Sequence, residues 1–286
     1  LAPRSTTASG IIARAVVSAG APCPLLTVTT AQGTITTLTM KERNRPSNTS
    51  PAFDAIRVCS AHMPVGATSA SVNGVDIPAA VPTKVDRLAL LGDSGCRVKS
   101  GDIQDCSDLD SWPLAQVSTS VAKDRPDAIV FAGDFFYREA PCPPSEQAAC
   151  GSSPPPVSTL PFTDSAYGWL ADALIPMASI FASAPLAVAR GNHEACYRGG
   201  NGFFYIMDPR DGTSNTCAPI SQNGTLQAAA TTPTPTYAID LPVSDGRTLR
   251  LEVVDSAGGR HPPSDLRLRV ESIRDSRTDV QPLEFL

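Results

Sequence analysis

Ala128-Ile129-Val130-Phe131-Ala132-Gly133-Asp134-Phe135-Phe136-Tyr137 is a short apolar run that ends on a Gly-Asp step. A run of this length, closed by a turn signal, predicts a strand buried on both faces rather than a helix. Two further stretches have the same form. Residues 85–91 run into Gly92-Asp93-Ser94-Gly95, and residues 186–188 lead into Gly191-Asn192-His193-Glu194. Between them, residues 112–123 have helical spacing and residues 164–182 read as one amphipathic helix. Strand alternating with helix predicts a βαβ layout with a parallel sheet. Residues 236–241 and 249–254 predict two more strands, the second ending at Asp255.

Upstream the texture differs. Residues 11–17, 25–30, 34–40, 53–59 and 68–72 alternate as short strands, punctuated by Gly, Pro, Asn and Ser. A small all-β domain over residues 1–82 is expected, with residues 77–82 as linker and the α/β domain over residues 83–286.

The three Gly-ligand steps carry the chemistry. In an open α/β sheet, functional groups collect beyond the carboxyl ends of the strands. A glycine there lets the backbone turn sharply as it leaves the strand. Asp93 and Asp134 offer hard anionic oxygens, Asn192 a neutral amide oxygen and Tyr137 a phenol. Two cations about 3.5–4 Å apart could be clamped by such a set. A lone Gly-Asp after a strand is also a common turn or cap, and Tyr137 could simply be a packed aromatic. All three motifs falling on strand ends, in this order, favours the metal reading.

The series GD-x-G, GD-x-x-Y, GNHE resembles the calcineurin-like metallophosphoesterases, and Tyr137 places it near their purple acid phosphatase branch. The resemblance covers about residues 85–257. It implies an α/β fold, a β-sandwich flanked by helices (αββα), behind the small all-β domain. It also implies metal-dependent hydrolysis of phosphate esters, mono- or diesters, at a dinuclear centre. Asp93 then corresponds to a ligand of the first metal and Asp134 to the bridging carboxylate. Tyr137 matches the phenolate that favours iron at the first metal. Asn192 matches a ligand of the second, which would be Fe, Zn or Mn. His193 corresponds to the histidine that contacts phosphate and protonates the leaving group. Arg138 stands where protein-phosphatase relatives bind phosphate, with a surface salt bridge as the alternative. Glu194 is read as a loop-orienting or capping residue.

The chain departs from that pattern in its histidines. It has three, His62, His193 and His261. The family's later histidine motifs are not found, and after Asp255 the sequence becomes Arg-rich with little apolar periodicity. His62 is expected at the surface, and His261 is at most one ligand. A truncated or frame-shifted C-terminus follows as an expectation, and with it a weakly metal-binding chain. A noncatalytic secreted relative that keeps the fold is the competing reading.

Composition bounds the rest. A net charge of −5 over 286 residues, with only four Lys, argues against a nucleic-acid-wrapping surface. The Arg bias with abundant Ala and Pro suits a GC-rich bacterial genome. Residues 169–188 form the longest apolar stretch, but Asp172 and Pro176 interrupt it, so no membrane span is expected. Eight Cys, without zinc-type C-x2-C spacing, predict disulfides and a secreted or periplasmic protein. Pairing of neighbours would give Cys23–Cys59, Cys96–Cys106, Cys142–Cys150 and Cys196–Cys217, one of 105 possible connectivities. The first residue is Leu1 rather than an initiator Met, and a signal peptide removed or not included is the corresponding expectation.

Overall fold

A computed structural model describes residues 8–45, 52–150, 164–196, 198–210, 237–244, 246–255 and 270–273, with Cys217 and Thr234. Alternation in the first segment produces seven strands: β1 (Ala8–Ser18), β2 (Leu25–Thr30), β3 (Ile35–Thr39), β4 (Lys41–Glu42), β5 (Ile56–Pro64), β6 (Ala67–Val72) and β7 (Val75–Ile77). They form two antiparallel sheets, ordered β1-β5-β4 and β3-β2-β6-β7. Ile11, Leu26, Val28, Met40 and Met63 pack between them. The β6–β7 hairpin turns on Asn73 and Gly74, both at positive φ (50° and 77°), as a tight hairpin with right-twisted strands requires. Cys23–Cys59 staples the loop before β2 to β5.

The α/β part follows with β8 (Leu88–Leu91), a small hairpin of β9 (Val98–Lys99) and β10 (Asp102–Ile103), α1 (Leu114–Lys123), β11 (Ala128–Phe131), α2 (Ala166–Trp169), α3 (Ala178–Ser183) and β12 (Leu186–Val188). β11 lies between β12 and β8, parallel to both. All four of its residues are buried, because the sheet is covered on both faces. Ala128 and Val130 meet Ile239, Leu241 and Leu251 of a second sheet. That sheet is antiparallel, built from β13 (Tyr237–Pro242), β14 (Thr248–Val253) and β15 (Val270–Ile273). Ile129 and Phe131 face the opposite way, into a core with Leu114, Trp169 and Ile180. The result is a sandwich of two sheets with helices on the outer face of the parallel one, behind an all-β N-terminal region.

Residues 164–182 do not form one helix. α2 gives way to a π-turn over Leu170–Leu174, where Ile175 N–H bonds back to Leu170 C=O at 3.0 Å, and α3 starts only at Ala178. Pro176 has no N–H to continue the ladder, and the π-turn inserts a residue that moves Asp172 to the interior. Residues 53–55 are a turn, not strand; Phe53 is buried edge-on against Tyr205. The stretch after residue 197 contains α4 (Gly200–Gly202) running into a π-turn over Phe203–Met207. Gly202 is required there, since a Cβ would overlap the Trp169 indole. Arg43 then fastens the N-terminal region to the helix end, donating to the carbonyls of Tyr205 (3.0 Å), Phe204 (3.1 Å) and Arg210 (2.8 Å).

The four disulfides pair sequence neighbours: Cys23–Cys59, Cys96–Cys106, Cys142–Cys150 and Cys196–Cys217. Residues 256–269, which include His261, lie outside the described residues, as do residues 274–286.

Candidate metal centre

Because β8, β11 and β12 are adjacent and parallel, their carboxyl ends share one edge of the sheet. The loops leaving them interlock. Asp93 N–H donates to Gly133 C=O (3.1 Å) and Ser94 N–H to Asp134 C=O (3.0 Å). Gly133 sits at φ 98°, and a Cβ on it would drive into the Gly191 backbone. Asp93 and Asp134 themselves have positive φ, 51° and 59°. Holding two Asp residues in the left-handed region costs energy at both positions, and such strain concentrates at functional sites.

The side chains converge. Tyr137 Oη lies 3.0 Å from Asp93 Oδ1 and 3.4 Å from Asp134 Oδ2. Asp134 Oδ1 is tied to His193 N–H at 2.9 Å, so Oδ2 is the oxygen turned to the centre. The Asn192 amide lies between Asp134 and Arg198. With its nitrogen toward Asp134 Oδ2 it donates at 3.1 Å, while its oxygen accepts from Arg198 at 3.0 Å. With its oxygen toward Asp134, acceptor faces acceptor, and only a cation between them would make that orientation favourable. Burial is the main cause that holds the Asp134 carboxyl above the ordinary range, and the charge of Asp93 adds to it against the His193 N–H bond. Burial and the two carboxylates likewise raise the Tyr137 phenol. This is a pocket of oxygen donors short of positive charge.

Glu194 supplies the scaffold. It is fully buried, and its carboxylate accepts the N–H groups of Asp134 (2.8 Å), Phe135 (2.7 Å), Phe136 (3.0 Å) and Gly191 (3.1 Å). One side chain thus orders the exits of two strands. Burial and Asp134 push it up to about 8 despite these donors. His193 stacks on Tyr137, ring centroids 3.8 Å apart. Its Nδ1 lies 3.1 Å from Glu139 Oε1 and 3.2 Å from Phe136 C=O, which assigns the proton to Nδ1 in the neutral ring and leaves Nε2 as acceptor. Burial lowers the His193 pKa against the pull of Asp134 and Glu139.

Arg138 points elsewhere. Its guanidinium is buried, with Nε 2.6 Å from Asp172 Oδ1 and NH1 donating to Cys150 C=O at 2.9 Å. It forms a salt bridge, but an interior one, and it is not presented to a phosphate. His62 is exposed, on β5. Glu139, Arg198 and Asp172 were not singled out from sequence, although Glu139 lies only two residues beyond Tyr137. Arg198 NH1 lies 3.7 Å from Glu139 Oε1, so these two and Asn192 form one charged margin of the site.

The donor set fits a hard cation: two carboxylates, a phenol and an amide oxygen on one edge. Among the described residues, no group of three or more His, Cys, Asp or Glu gathers, so the fit is to an oxygen-rich site with few imidazoles.

No curated protein gives a significant match to the chain. Among solved structures, a purple acid phosphatase from yellow lupin (Lupinus luteus) seeds is similar, at 14% identity and a TM-score of 0.34, over 64% of this chain and 33% of that one. PhoD is similar at 14% identity and a TM-score of 0.31, over 62% and 34%. The chain thus spans about a third of the length of these structures. The sequence model of the calcineurin-like phosphoesterases matches residues 87–265, a stretch that contains all three strand-end motifs. The chain belongs to the calcineurin-like phosphoesterase family.

Proposed function

We propose that the chain hydrolyses phosphate esters at a metal centre on the β8–β11–β12 edge. The observation that carries this reading is the convergence of Asp93, Asp134 and Tyr137 on one point, on strained backbone, in a member of this family. Asp93, Asp134 and Tyr137 would hold a first cation, ferric iron by the preference of a phenolate. Asn192 and the shared Asp134 would contribute to a second, Fe, Zn or Mn. Bound there, the metals would polarise the phosphoryl group and offset the charge that develops on its oxygens.

The protein's own groups do the rest. Glu194 fixes the loops so that both carboxylates arrive together. Glu139 orients His193 through Nδ1, so that Nε2 is the nitrogen available to the ester. A phosphate dianion beside His193 favours its charged form, which then can pass a proton to the leaving oxygen. Arg198 borders the same space. The four disulfides support an oxidising compartment, outside the cytoplasm. No helix among the described residues is long and apolar enough to cross a membrane.

A second reading has its own support: His193 is the single imidazole at the site among the described residues. On that reading the chain is a noncatalytic secreted relative. The two are separated by assaying chelator-treated protein and protein reloaded with Fe, Mn or Zn, on 4-nitrophenyl phosphate and its diester. The phosphoesterase reading expects turnover only after loading, and a drop of about 10³-fold in Asp134→Asn. Equal turnover by the chelated protein or by the variant would defeat it.

A further inference from the structure

Next to the metal centre, on the Asp93 and Tyr137 side, lies a cleft of about 420 Å³. One wall is apolar: Leu91, Trp112, Leu114 and Val117. Trp112 is braced at two points, its indole N–H donating to Ser94 C=O at 2.7 Å and its backbone N–H to Asp108 C=O at 2.9 Å. The indole is therefore anchored to the loop that carries Asp93. The other wall is polar, Arg97 and Gln104 at the base of the β9–β10 hairpin, within the loop closed by Cys96–Cys106. Gln104 stiffens it, accepting from Arg97 N–H (3.0 Å) and donating to Ser111 C=O (2.6 Å). Ser94 Oγ is shielded from solvent and has no hydrogen-bond partner among the described residues.

The cleft is thus two-ended and prebuilt. One end opens on the proposed oxygen ligands, and the flank offers an indole and aliphatic side chains opposite a cross-linked loop. An apolar cavity of about 150 Å³ accommodates benzene, so this one has room for an aromatic ring and its substituents. We propose that the cleft is the leaving-group subsite, and that the chain takes phosphate esters of aromatic alcohols, with Trp112 setting that preference. The proposal rests on the phosphoesterase reading, because it needs the phosphate at the Asp93–Tyr137 end. An aliphatic alcohol fills less of the space and cannot stack. Stacking on an aromatic ring adds about 2–10-fold in affinity beyond the apolar area covered.

The test uses phenylphosphonate and methylphosphonate, which are not hydrolysed, titrated calorimetrically into the Mn²⁺-loaded chain. Phenylphosphonate should bind about 10-fold or more tightly. Trp112→Leu should reduce that preference to about 3-fold or less, read as the ratio of the two affinities, because loss of the Ser94 bond acts on both ligands alike. Val117→Asp guards against a misfolded Trp112 variant. Val117 is 39% exposed on α1, so the fold tolerates the change while a charge enters the cleft, and the same loss of preference is expected. Phosphonates that bind with no phenyl preference, or with a preference both variants retain, overturn the subsite and leave the phosphoesterase reading standing. Binding of neither phosphonate, while 4-nitrophenol still quenches Trp112, refutes the phosphoesterase reading and the ester proposal with it. Trp169, wholly buried, is the unquenched internal reference.

Discussion

Replacing Asp172 by Asn tests how the interior supports the proposed metal centre. Asp172 is fully buried in the π-turn. Its Oδ1 takes Arg138 Nε at 2.6 Å and its Oδ2 takes Tyr137 N–H at 3.0 Å. Breaking a buried pair commonly costs about 3–5 kcal/mol, which would predict a large loss at neutral pH. The protonation equilibrium argues otherwise. Burial outweighs Arg138 and the Tyr137 N–H, and the carboxyl is raised from 3.8 to about 6. A raised acid contributes stability that is complete below its unfolded pKa and is lost as pH rises through the folded one. Between pH 4 and 7 the wild type therefore loses up to about 3 kcal/mol at this residue, about two pKa units at 1.36 kcal/mol each. The substituted amide does not titrate, so the variant loses nothing at this position over that range.

The variant sacrifices one acceptor, since an amide has one oxygen for two donors, at about 1–3 kcal/mol. Asp172→Asn should thus be destabilising by about 1–3 kcal/mol at pH 4 and near neutral, or slightly stabilising, at pH 7.5. Urea denaturation of the metal-free protein at both pH values measures it. The donor left over faces Tyr137 N–H or Arg138, so metal affinity should fall at every pH even where stability does not. Arg138→Met should act in the opposite sense, raising the Asp172 pKa further and extending the loss of stability to higher pH. A cost for Asp172→Asn that grows from pH 4 to 7.5 would refute the reasoning, and would mean the ion pair is worth more than its burial.

Other outcomes follow from the same geometry. In Gly191→Ala the new Cβ would sit 2.5 Å from Asp134 N and closer still to Asp134 Oδ1, whereas in Gly92→Ala it meets Ala132 Cβ at 3.3 Å. Displacement of a reacting group by about 1 Å costs on the order of 10²-fold, so turnover should collapse in the first variant and stay within a few-fold in the second. Tyr137→Phe should weaken metal binding and abolish any visible phenolate-to-ferric absorption while leaving the circular dichroism unchanged. Replacing Cys96 and Cys106 together by Ser should lower stability by about 2–3 kcal/mol in urea, the entropy of a loop of ten residues.

What was legible in the sequence is what adjacent residues determine. A buried parallel strand needs apolar residues on both faces, so Ala128–Phe131 announces itself and the Gly-Asp step marks where it ends. The proposed ligands Asp93, Asp134 and Asn192 sit one residue past their glycines because the turn demands it, and cysteines pair with their neighbours in sequence order. The misreadings share a different cause. Asp164–Ala182 has good helical spacing, but spacing does not register that Pro176 withholds an N–H or that one inserted residue rotates Asp172 inward. Three glycines give residues 199–202 the composition of a loop, although Gly202 is small because Trp169 lies against it.

The supporting residues divide on the same line. Glu194 is legible as a cap because it takes the Gly191 N–H three residues back, but its reach to Asp134 across 60 positions is not, and Asp172 reaches Tyr137 across 35. Neither long separation leaves a local pattern, because the spacing is set by where strands and a π-turn happen to meet. Arg138 shows the same limit from the other side. Its place beside Tyr137 suggests phosphate, yet a strand exit that presents residue 137 to the edge turns residue 138 the other way. There Asp172 waits, and the guanidinium that could have met substrate instead sets the depth at which Tyr137 is held. Local pattern thus places the proposed ligands at the strand ends, and long-range burial decides how firmly they are aimed.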